Sequence, residues 1–132
     1  MNTIFSKIVN GTIPCYKVAE DMQFIAFLDI NPIAKGHTLV IPKNETDYIF
    51  DIKDDEYQKL FLFAKKIAKA IKKVIPCKKV GVAVVGLEVP HAHIHLVPIN
   101  DVYDIDFKKT KLKFTDEEFK HIAQTIAQNI VD

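Results

Sequence analysis

Apolar residues recur at intervals of three and four between residues 53 and 75, the spacing of one face of an α-helix. The stripe consists of Tyr57, Leu60, Phe61, Ala64, Ile67, Ala68, Ile71 and Ile75. Lysines lie mostly opposite or beside it, and three acidic residues, Asp54 to Glu56, open the segment where the helix dipole favours negative charge. The pattern predicts a long helix over 53–75, ended by Pro76.

Two shorter segments also have helical spacing. Ile4 to Val9 carries apolar residues at that spacing and is stopped by Asn10-Gly11. Near the other end, Thr115 and Glu118 form the sequence of a capping box, in which each side chain bonds the other residue's backbone N–H. The apolar residues that follow lie on one side of a predicted helix: Phe119, Ile122, Ala123, Ile126 and Ile130.

Five segments are typical of β-strands, because they are short, apolar and bounded by turn residues. They are residues 16–19, 24–28, 37–41, 80–85 and 91–97. The run from Val80 to Val85 is rich in β-branched residues and predicts a central strand. We expect an α+β domain with a five-stranded antiparallel sheet, one long central helix and a C-terminal helix. Apolar residues such as Val82 and Val84 could extend the sheet or its helices across a dimer.

Composition narrows the function classes. A chain of 132 residues predicts a single domain over 1–132, and a formal net charge of +1 gives no field for holding nucleic acid or a membrane surface. No apolar run reaches membrane-spanning length, and the first residues do not resemble a signal peptide. The two cysteines, Cys15 and Cys77, lie far apart, which favours a reducing compartment. We expect a cytoplasmic protein.

Histidines provide the candidate chemistry. His91, His93 and His95 alternate with apolar residues, so in a strand they share one face at intervals of roughly 6.5–7 Å. Ala92, Ile94 and Leu96 would then form core on the other face. Imidazole nitrogens need polar partners, so we expect the histidine face to meet solvent. His37 opens another predicted strand and could orient one of these rings, whereas His121 is predicted to be an ordinary surface residue.

Three interpretations of this row remain open: a surface ladder, a zinc site and nucleophilic catalysis. A His-x-His pair on a strand can chelate zinc. However, Glu88 is the nearest carboxylate and the sequence has no second Cys/His cluster, so the ligand count disfavours a metal. An unprotonated imidazole is a good nucleophile at neutral pH, and neighbouring donors can neutralise phosphate oxygens. The pattern therefore favours phosphoryl chemistry.

The segment His91-Ala92-His93-Ile94-His95-Leu96-Val97 resembles the signature of the histidine triad family. Three further segments stand in the family's order: Ile4 to Gly11, Ala26 to Pro32 and Gly36 to Lys43. The small nucleotide-binding, phosphoramidase-like branch is the most similar. The resemblance implies a five-stranded sheet that continues across a homodimer as about ten strands.

The resemblance also implies an activity: hydrolysis of nucleoside phosphoramidates, or of related nucleotidyl bonds such as those of dinucleoside polyphosphates, at the α-phosphate. His93 matches the residue that forms a covalent nucleotidyl-histidine intermediate. His95 matches the phosphate-contacting histidine, His91 an orienting one and His37 the outlying fourth. The third triad histidine argues against the uridylyltransferase branch, which has glutamine where His95 stands.

For the purine nucleotide or phosphoramidate substrate, Asp29 matches the carboxylate that accepts both ribose hydroxyls. The remaining members of the implied nucleotide-binding set are Phe5, Ile8, Phe27 and Ile30 around the base, and Glu88 and Val89 directly before the triad. No cofactor and no metal are expected. In some relatives cysteines and a histidine hold structural zinc, and here Thr3, Ser6 and Asn44 occupy those places.

The chain also departs from the family before the triad. The usual Asn and Gly-rich loop are replaced by the short apolar run Val84 to Leu87, and Leu87-Glu88 replaces a Gln followed by Ser or Thr. A carboxylate close to the phosphate would repel an anionic substrate unless it pairs with a histidine or turns away. Two alternatives therefore remain: a nucleotide-binding or regulatory interaction module with vestigial activity, and a metal-dependent hydrolase.

Overall fold

The computed structural model describes residues 3–132. Within that range there are three α-helices, α1 (Ile4–Val9), α2 (Asp54–Val74) and α3 (Asp116–Gln128). The strands in the same range are β1 (Lys17–Glu20), β2 (Phe24–Leu28), β3 (Thr38–Pro42), β4 (Lys79–Ala83) and β5 (Ile94–Ile99). Single 3-10 turns occupy Ile49–Asp51 and Val102–Asp104. The predicted helices and strands are thus present, with ends that differ by a few residues.

The strands form one antiparallel sheet in the order β1-β2-β3-β5-β4. This confirms the α+β class and the five-stranded sheet. Both faces of the sheet are covered, because α2 and α3 pack on one face and α1 lies on the other. Every residue of β2 and β3 is consequently buried, which explains why these strands, apart from Thr38, are apolar runs without alternation.

The main core lies between the sheet and the two long helices. Leu60, Ile67 and Ile71 of α2 are fully buried there and belong to one cluster with Ile94 and Leu96 of β5. The helix begins and ends within one residue of its predicted limits. Helix α3 begins at the predicted capping box, with both reciprocal bonds between Thr115 and Glu118 formed.

The prediction of a central strand at Val80 to Val85 was wrong. Strand β4 ends at Ala83 and lies at the edge of the sheet, paired only with β5 among the described residues. Val82 is 56% exposed and Val85 51% exposed. β-branched residues favour any strand, and the sequence does not say whether a second neighbour lies beside it. The result is an apolar edge with unpaired backbone groups.

Among residues 3–132, no helix combines the length and the apolar character needed to cross a lipid bilayer. Cys15 and Cys77 are both free and half-buried.

Candidate active site

A cavity of about 550 Å³ opens on the α1 side of the sheet. Its walls come from α1, the end of β2, the residue before β3, the start of β5 and the loop that precedes the triad. All but one of the eleven predicted site residues line it: Phe5, Ile8, Phe27, Asp29, Ile30, His37, Glu88, Val89, His93 and His95. The fold therefore brings together residues that are spread over ninety positions of the sequence.

His91 is the predicted site residue that does not line the cavity. Its side chain is fully buried, with Nε2 2.7 Å from the carbonyl oxygen of Pro42. A carbonyl only accepts, so Nε2 carries the hydrogen and donates it. The other ring nitrogen, Nδ1, is buried without a hydrogen-bond partner in the described part of the chain. His91 thus holds the backbone in front of the cavity and does not reach into it.

The expectation that the histidine face meets solvent was wrong. His91 is 0% exposed, His93 7% and His95 8%. Strand β5 begins only at Ile94, and Ala92 N–H bonds the carbonyl of Thr46 at 2.7 Å. The first two histidines therefore lie in the segment before β5, where Phe5 of α1 packs edge-on against both rings. One nitrogen of each ring has a protein partner, which the alternation pattern did not reveal. Ala92, Ile94 and Leu96 pack in the core as predicted.

His93 has its two ring nitrogens in different environments. Nδ1 lies 2.8 Å from the carbonyl oxygen of His91 and must be the donor. In the neutral ring this leaves a lone pair on Nε2. Burial lowers the pKa of His93 below its ordinary value, an effect only partly opposed by the hydrogen bond to His91. The ring therefore stays neutral at pH 7 and keeps an unprotonated Nε2 on a residue that lines the cavity.

His37 and His95 form a buried pair whose protons can be traced in the same way. The backbone N–H of Ile33 donates to Nδ1 of His37 at 3.2 Å. His37 must then carry its hydrogen on Nε2, which lies 3.0 Å from Nδ1 of His95 and donates to it. Since Nδ1 of His95 accepts, its own hydrogen is on Nε2. His95 is thereby fixed as an N–H donor on the cavity side.

Burial keeps this pair uncharged. It lowers the pKa of His37 to about 4, with a smaller contribution from the positive charge of Lys111. It lowers the pKa of His95 to about 3, helped by the neighbouring His93 and His37. Each ring therefore remains neutral well below physiological pH, and the hydrogen bond between them is a neutral one.

Asp29 follows β2 directly and faces the cavity with a side chain that is 20% exposed. Its backbone N–H donates to the carbonyl of His37, and Oδ1 accepts the backbone N–H of Asn31 at 2.8 Å. Oδ2 lies 3.6 Å from Nε2 of His37. The carboxylate is therefore held in place by the backbone and keeps acceptor capacity for a ligand.

The apolar part of the cavity rests on the smaller core cluster, which contains Phe5, Ile25, Phe27, Leu39 and Ile41. The rings of Phe5 and Phe27 meet edge to face with centroids 5.8 Å apart. Ile8 and Val89 pack against this cluster. Glu88 is exposed on the rim of the cavity.

Phe107 and Lys111 also line the cavity and were not predicted. They belong to the irregular segment between β5 and α3, where no hydrophobic period marks either residue. The Phe107 ring lies edge-on to His95, with centroids 4.6 Å apart. The backbone N–H of Leu112 donates to the carbonyl of Pro32 at 2.8 Å, which ties this segment to the loop in front of His37.

Asp29, His37 and His95 place potential metal-ligating atoms within 4.8 Å of one another. A metal on Nε2 of His37 would need the lone pair of that nitrogen and would move the hydrogen to Nδ1. A hydrogen on Nδ1 would point at the backbone N–H of Ile33, which is itself a donor, so the existing hydrogen bond would be lost. The hydrogen-bonding pattern therefore disfavours a metal at this position. Two of the three positions that the family resemblance linked to structural zinc make ordinary hydrogen bonds here: the Thr3 hydroxyl accepts the backbone N–H of Ser6 and caps α1, and the Asn44 amide donates to Glu56.

Residues 10–102 match the HIT domain. An uncharacterized HIT-like protein of Borreliella burgdorferi is 37% identical over 96% of this chain and 97% of its own length. The adenosine 5'-monophosphoramidase of Schizosaccharomyces pombe is 35% identical over 98% of this chain and 99% of its own. The solved structure of a Hit-like protein from Bartonella henselae superimposes with a TM-score of 0.85 at 30% identity, covering 98% and 96% of the two chains. The chain belongs to the histidine triad, or HIT, family.

Proposed function

We propose that this protein hydrolyses nucleoside phosphoramidates, or related nucleotidyl bonds, at the α-phosphate through a covalent intermediate on His93. The observation that carries the proposal is the tautomer of His93: its Nδ1–H is bonded to the carbonyl of His91, so a neutral Nε2 lone pair is available in a largely apolar cavity. The relatives named adenosine 5'-monophosphoramidase support the substrate class.

In the first step, Nε2 of His93 attacks phosphorus and forms a P–N bond, while the bond from phosphorus to the leaving nitrogen breaks. The leaving group departs as an amine after taking a proton from water. In the second step, a water molecule attacks the same phosphorus and gives up a proton, which neutralises the hydroxide left when water protonated the amine. The bond to Nε2 breaks, its electron pair returns to His93, and the nucleoside monophosphate is released. The Nδ1–H bond to His91 stabilises the imidazolium-like charge that develops on His93.

The other residues bind and orient. The Nε2–H of His95, directed by His37, donates to a phosphate oxygen, and the carboxylate of Asp29 accepts the two ribose hydroxyls. The base lies among Phe5, Ile8, Phe27 and Ile30, next to Val89. His91 acts as a positioning residue, because its carbonyl holds His93 and its ring is fixed to Pro42.

We also propose that residues 1–132 act as one domain in the cytoplasm and that two copies associate. The free thiols of Cys15 and Cys77 fit a reducing compartment. Strand β4, which carries the exposed Val82, has an edge that is free within residues 3–132 and that could pair with the same strand of a second copy and continue the sheet.

The test is incubation of the purified protein with adenosine 5'-phosphoramidate, with and without a chelator, followed by mass spectrometry after an alkaline quench that preserves P–N bonds. We expect AMP release that the chelator does not change, and a nucleotidyl adduct on the peptide that contains His93. Turnover abolished by the chelator would instead indicate a metal-dependent hydrolase. Binding of AMP without turnover would indicate a nucleotide-binding module.

A further inference from the structure

The charge balance of the cavity is unusual for a site that takes phosphates. Its three histidines are neutral at pH 7, because burial lowers the pKa of each. Two carboxylates, Asp29 and Glu88, also line it. Among the described lining residues, Lys111 is the sole formal cation. Among the described residues that line the cavity, a full positive charge for a bound anion therefore comes from Lys111.

Lys111 is held at one end of the cavity. Its Nζ donates to the carbonyl oxygen of Phe107, whose ring packs against His95. The backbone N–H of the next residue, Leu112, donates a hydrogen bond to the carbonyl oxygen of Pro32 at 2.8 Å, so the segment is attached to the loop before His37. The Phe107 ring contacts both His37 and His95, with centroids 6.2 Å and 4.6 Å apart. Lys111 is thus hydrogen-bonded to a residue that packs against the His37–His95 pair, and its charge contributes to lowering the pKa values of both rings.

This position corresponds to the departing side of the reaction. Attack and departure at phosphorus are roughly in line, so the leaving group lies opposite Nε2 of His93. A phosphate held by the Nε2–H of His95 would have Phe107 and Lys111 beside it, and a leaving group that departs on this side would meet the Lys111 ammonium. The Lys111 ammonium is a flexible point charge, suited to a carboxylate or phosphate whose position varies with the substrate.

We propose that Lys111 is a specificity-determining residue that binds an anionic substituent on the leaving group, so that the enzyme favours phosphoramidates of amines bearing a carboxylate or phosphate. This inference rests on the proposed function. The reaction steps are the same as in the proposed function: the P–N bond to His93 forms, the P–N bond to the amine breaks, and the amine takes a proton from water. Lys111 supplies charge and transfers no proton.

The experiment compares two adenosine 5'-phosphoramidates that differ by one charge, made from glycine with its free carboxylate and from glycinamide. The measured quantity is the ratio of their kcat/KM values in the intact protein, in Lys111→Gln and in Lys111→Arg. We expect Lys111→Gln to lower this ratio by about 10- to 100-fold, the range of a hydrogen bond to a charged group. Lys111→Arg keeps the charge and should retain most of the ratio.

Lys113→Gln is the matched control, because Lys113 is an exposed lysine of the same segment that does not line the cavity. The ratio of the two kcat/KM values in Lys113→Gln should equal that of the unmodified protein. An unchanged ratio in Lys111→Gln, or an equal fall in Lys113→Gln, would overturn the inference while leaving the proposed function intact. Hydrolysis of neither compound, with no adduct on His93, would contradict the proposed function and the inference with it.

Discussion

Each histidine of the site has its tautomer set by the partner of one ring nitrogen. A carbonyl fixes the hydrogen of His93 on Nδ1, and a backbone N–H fixes that of His37 on Nε2. Because Nε2–H of His37 donates to Nδ1 of His95, the hydrogen of His95 is on its own Nε2, which is therefore a donor. In the proposed function, four chemically identical side chains would thereby act differently: His93 as nucleophile, His95 as donor, His37 as the link between the backbone and that donor, and His91 as a buried support.

Removal of Nε2 from His93 tests the nucleophile. Asparagine keeps a side-chain N–H that can reach the carbonyl of His91 and lacks the attacking nitrogen, so His93→Asn should lower kcat by several orders of magnitude. His93→Ala should do the same and also leave a void beside Phe5, because the ring is buried and not exposed as the sequence suggested. Kinetics with adenosine 5'-phosphoramidate and thermal melts measure the two effects.

The control for this pair of variants is His121→Ala, since His121 is exposed on α3. Its activity should match that of the unmodified protein. A His93→Asn variant that keeps one tenth of the activity would exclude His93 as the nucleophile.

A substitution of Glu88 tests whether the unusual carboxylate before the triad affects nucleotide binding. The residue is exposed on the cavity rim, and neither hydrogen bonds nor ion pairs join it to a triad histidine within residues 3–132. This leaves repulsion of the substrate phosphate as its expected effect. Glu88→Ser should tighten AMP binding about fivefold, the scale of a screened contact between like charges of about 1 kcal/mol.

Calorimetric titration with AMP measures this affinity, and Glu117→Ser, an exposed change on α3, serves as the control. An affinity for AMP that does not change in Glu88→Ser would mean that the side chain turns to solvent, and the departure would then have no functional meaning.

At the scale of elements, the site depends on β3 and β5, two neighbouring strands of the sheet that lie far apart in the sequence. His37 immediately precedes β3 and His95 belongs to β5, so the 3.0 Å bond between their rings joins two strands as well as two residues. The ladder between these strands places His95 opposite Leu39 and directs its side chain to the α1 face. Burial of this pair stabilises the fold only while both rings are neutral.

The buried pair therefore predicts a loss of stability in acid. The unfolded chain binds these protons near pH 6.5, whereas the folded pKa values are about 4 for His37 and about 3 for His95. The free energy of unfolding should fall as the pH is lowered from 6.5, by up to about 1.4 kcal/mol per pH unit for each ring. Urea unfolding at pH 7 and pH 5 measures this fall.

Carboxylates do not explain a loss in that window. The pKa of Glu20, for example, is lowered to about 2 by Lys17 and Lys43, so its contribution is lost only below pH 4.5. His95→Asn should reduce the difference between pH 7 and pH 5, and His121→Asn should leave it unchanged. An equal pH dependence in all three proteins would show that the buried pair does not titrate as described.

At the scale of the whole molecule, apolar side chains remain exposed on three segments. Val82 on β4 is 56% exposed, Leu62 on α2 is 65% exposed, and Phe50 in the 3-10 turn before α2 is 67% exposed. The protomer leaves these apolar surfaces uncovered. We therefore expect a two-fold symmetric dimer in which these surfaces meet their copies.

Light scattering at micromolar concentration should give a species of twice the 15.0 kDa protomer mass. Val82→Lys places a charge on the strand edge and should shift the protein towards the monomer. Val131→Lys, at an exposed residue near the C-terminus, should leave the mass unchanged. A single species near 15.0 kDa for the unmodified protein would contradict the dimer.

The sequence by itself determined the local features of this protein. Helix α2, the capping box of α3 and the strands β2 and β3 follow from periodicity and turn residues, because these patterns depend on neighbours within a few positions. The alternation that sends Ile94 and Leu96 into the core and His95 to the other face is equally local. The resemblance in motif order also identified ten residues that now line one cavity.

Tertiary structure decided which surfaces are covered and which partner each polar group meets. Strand β4 lies at the edge because, among the described residues, it pairs with β5 alone, a matter of pairing that no feature of residues 80–85 encodes. His91 and His93 pack against Phe5 of α1, and His37 and His95 pack against Phe107. Lys111 reaches the cavity through an irregular segment tied to Pro32. These outcomes depend on contacts between distant parts of the chain, so short-range sequence patterns contain no signal for them.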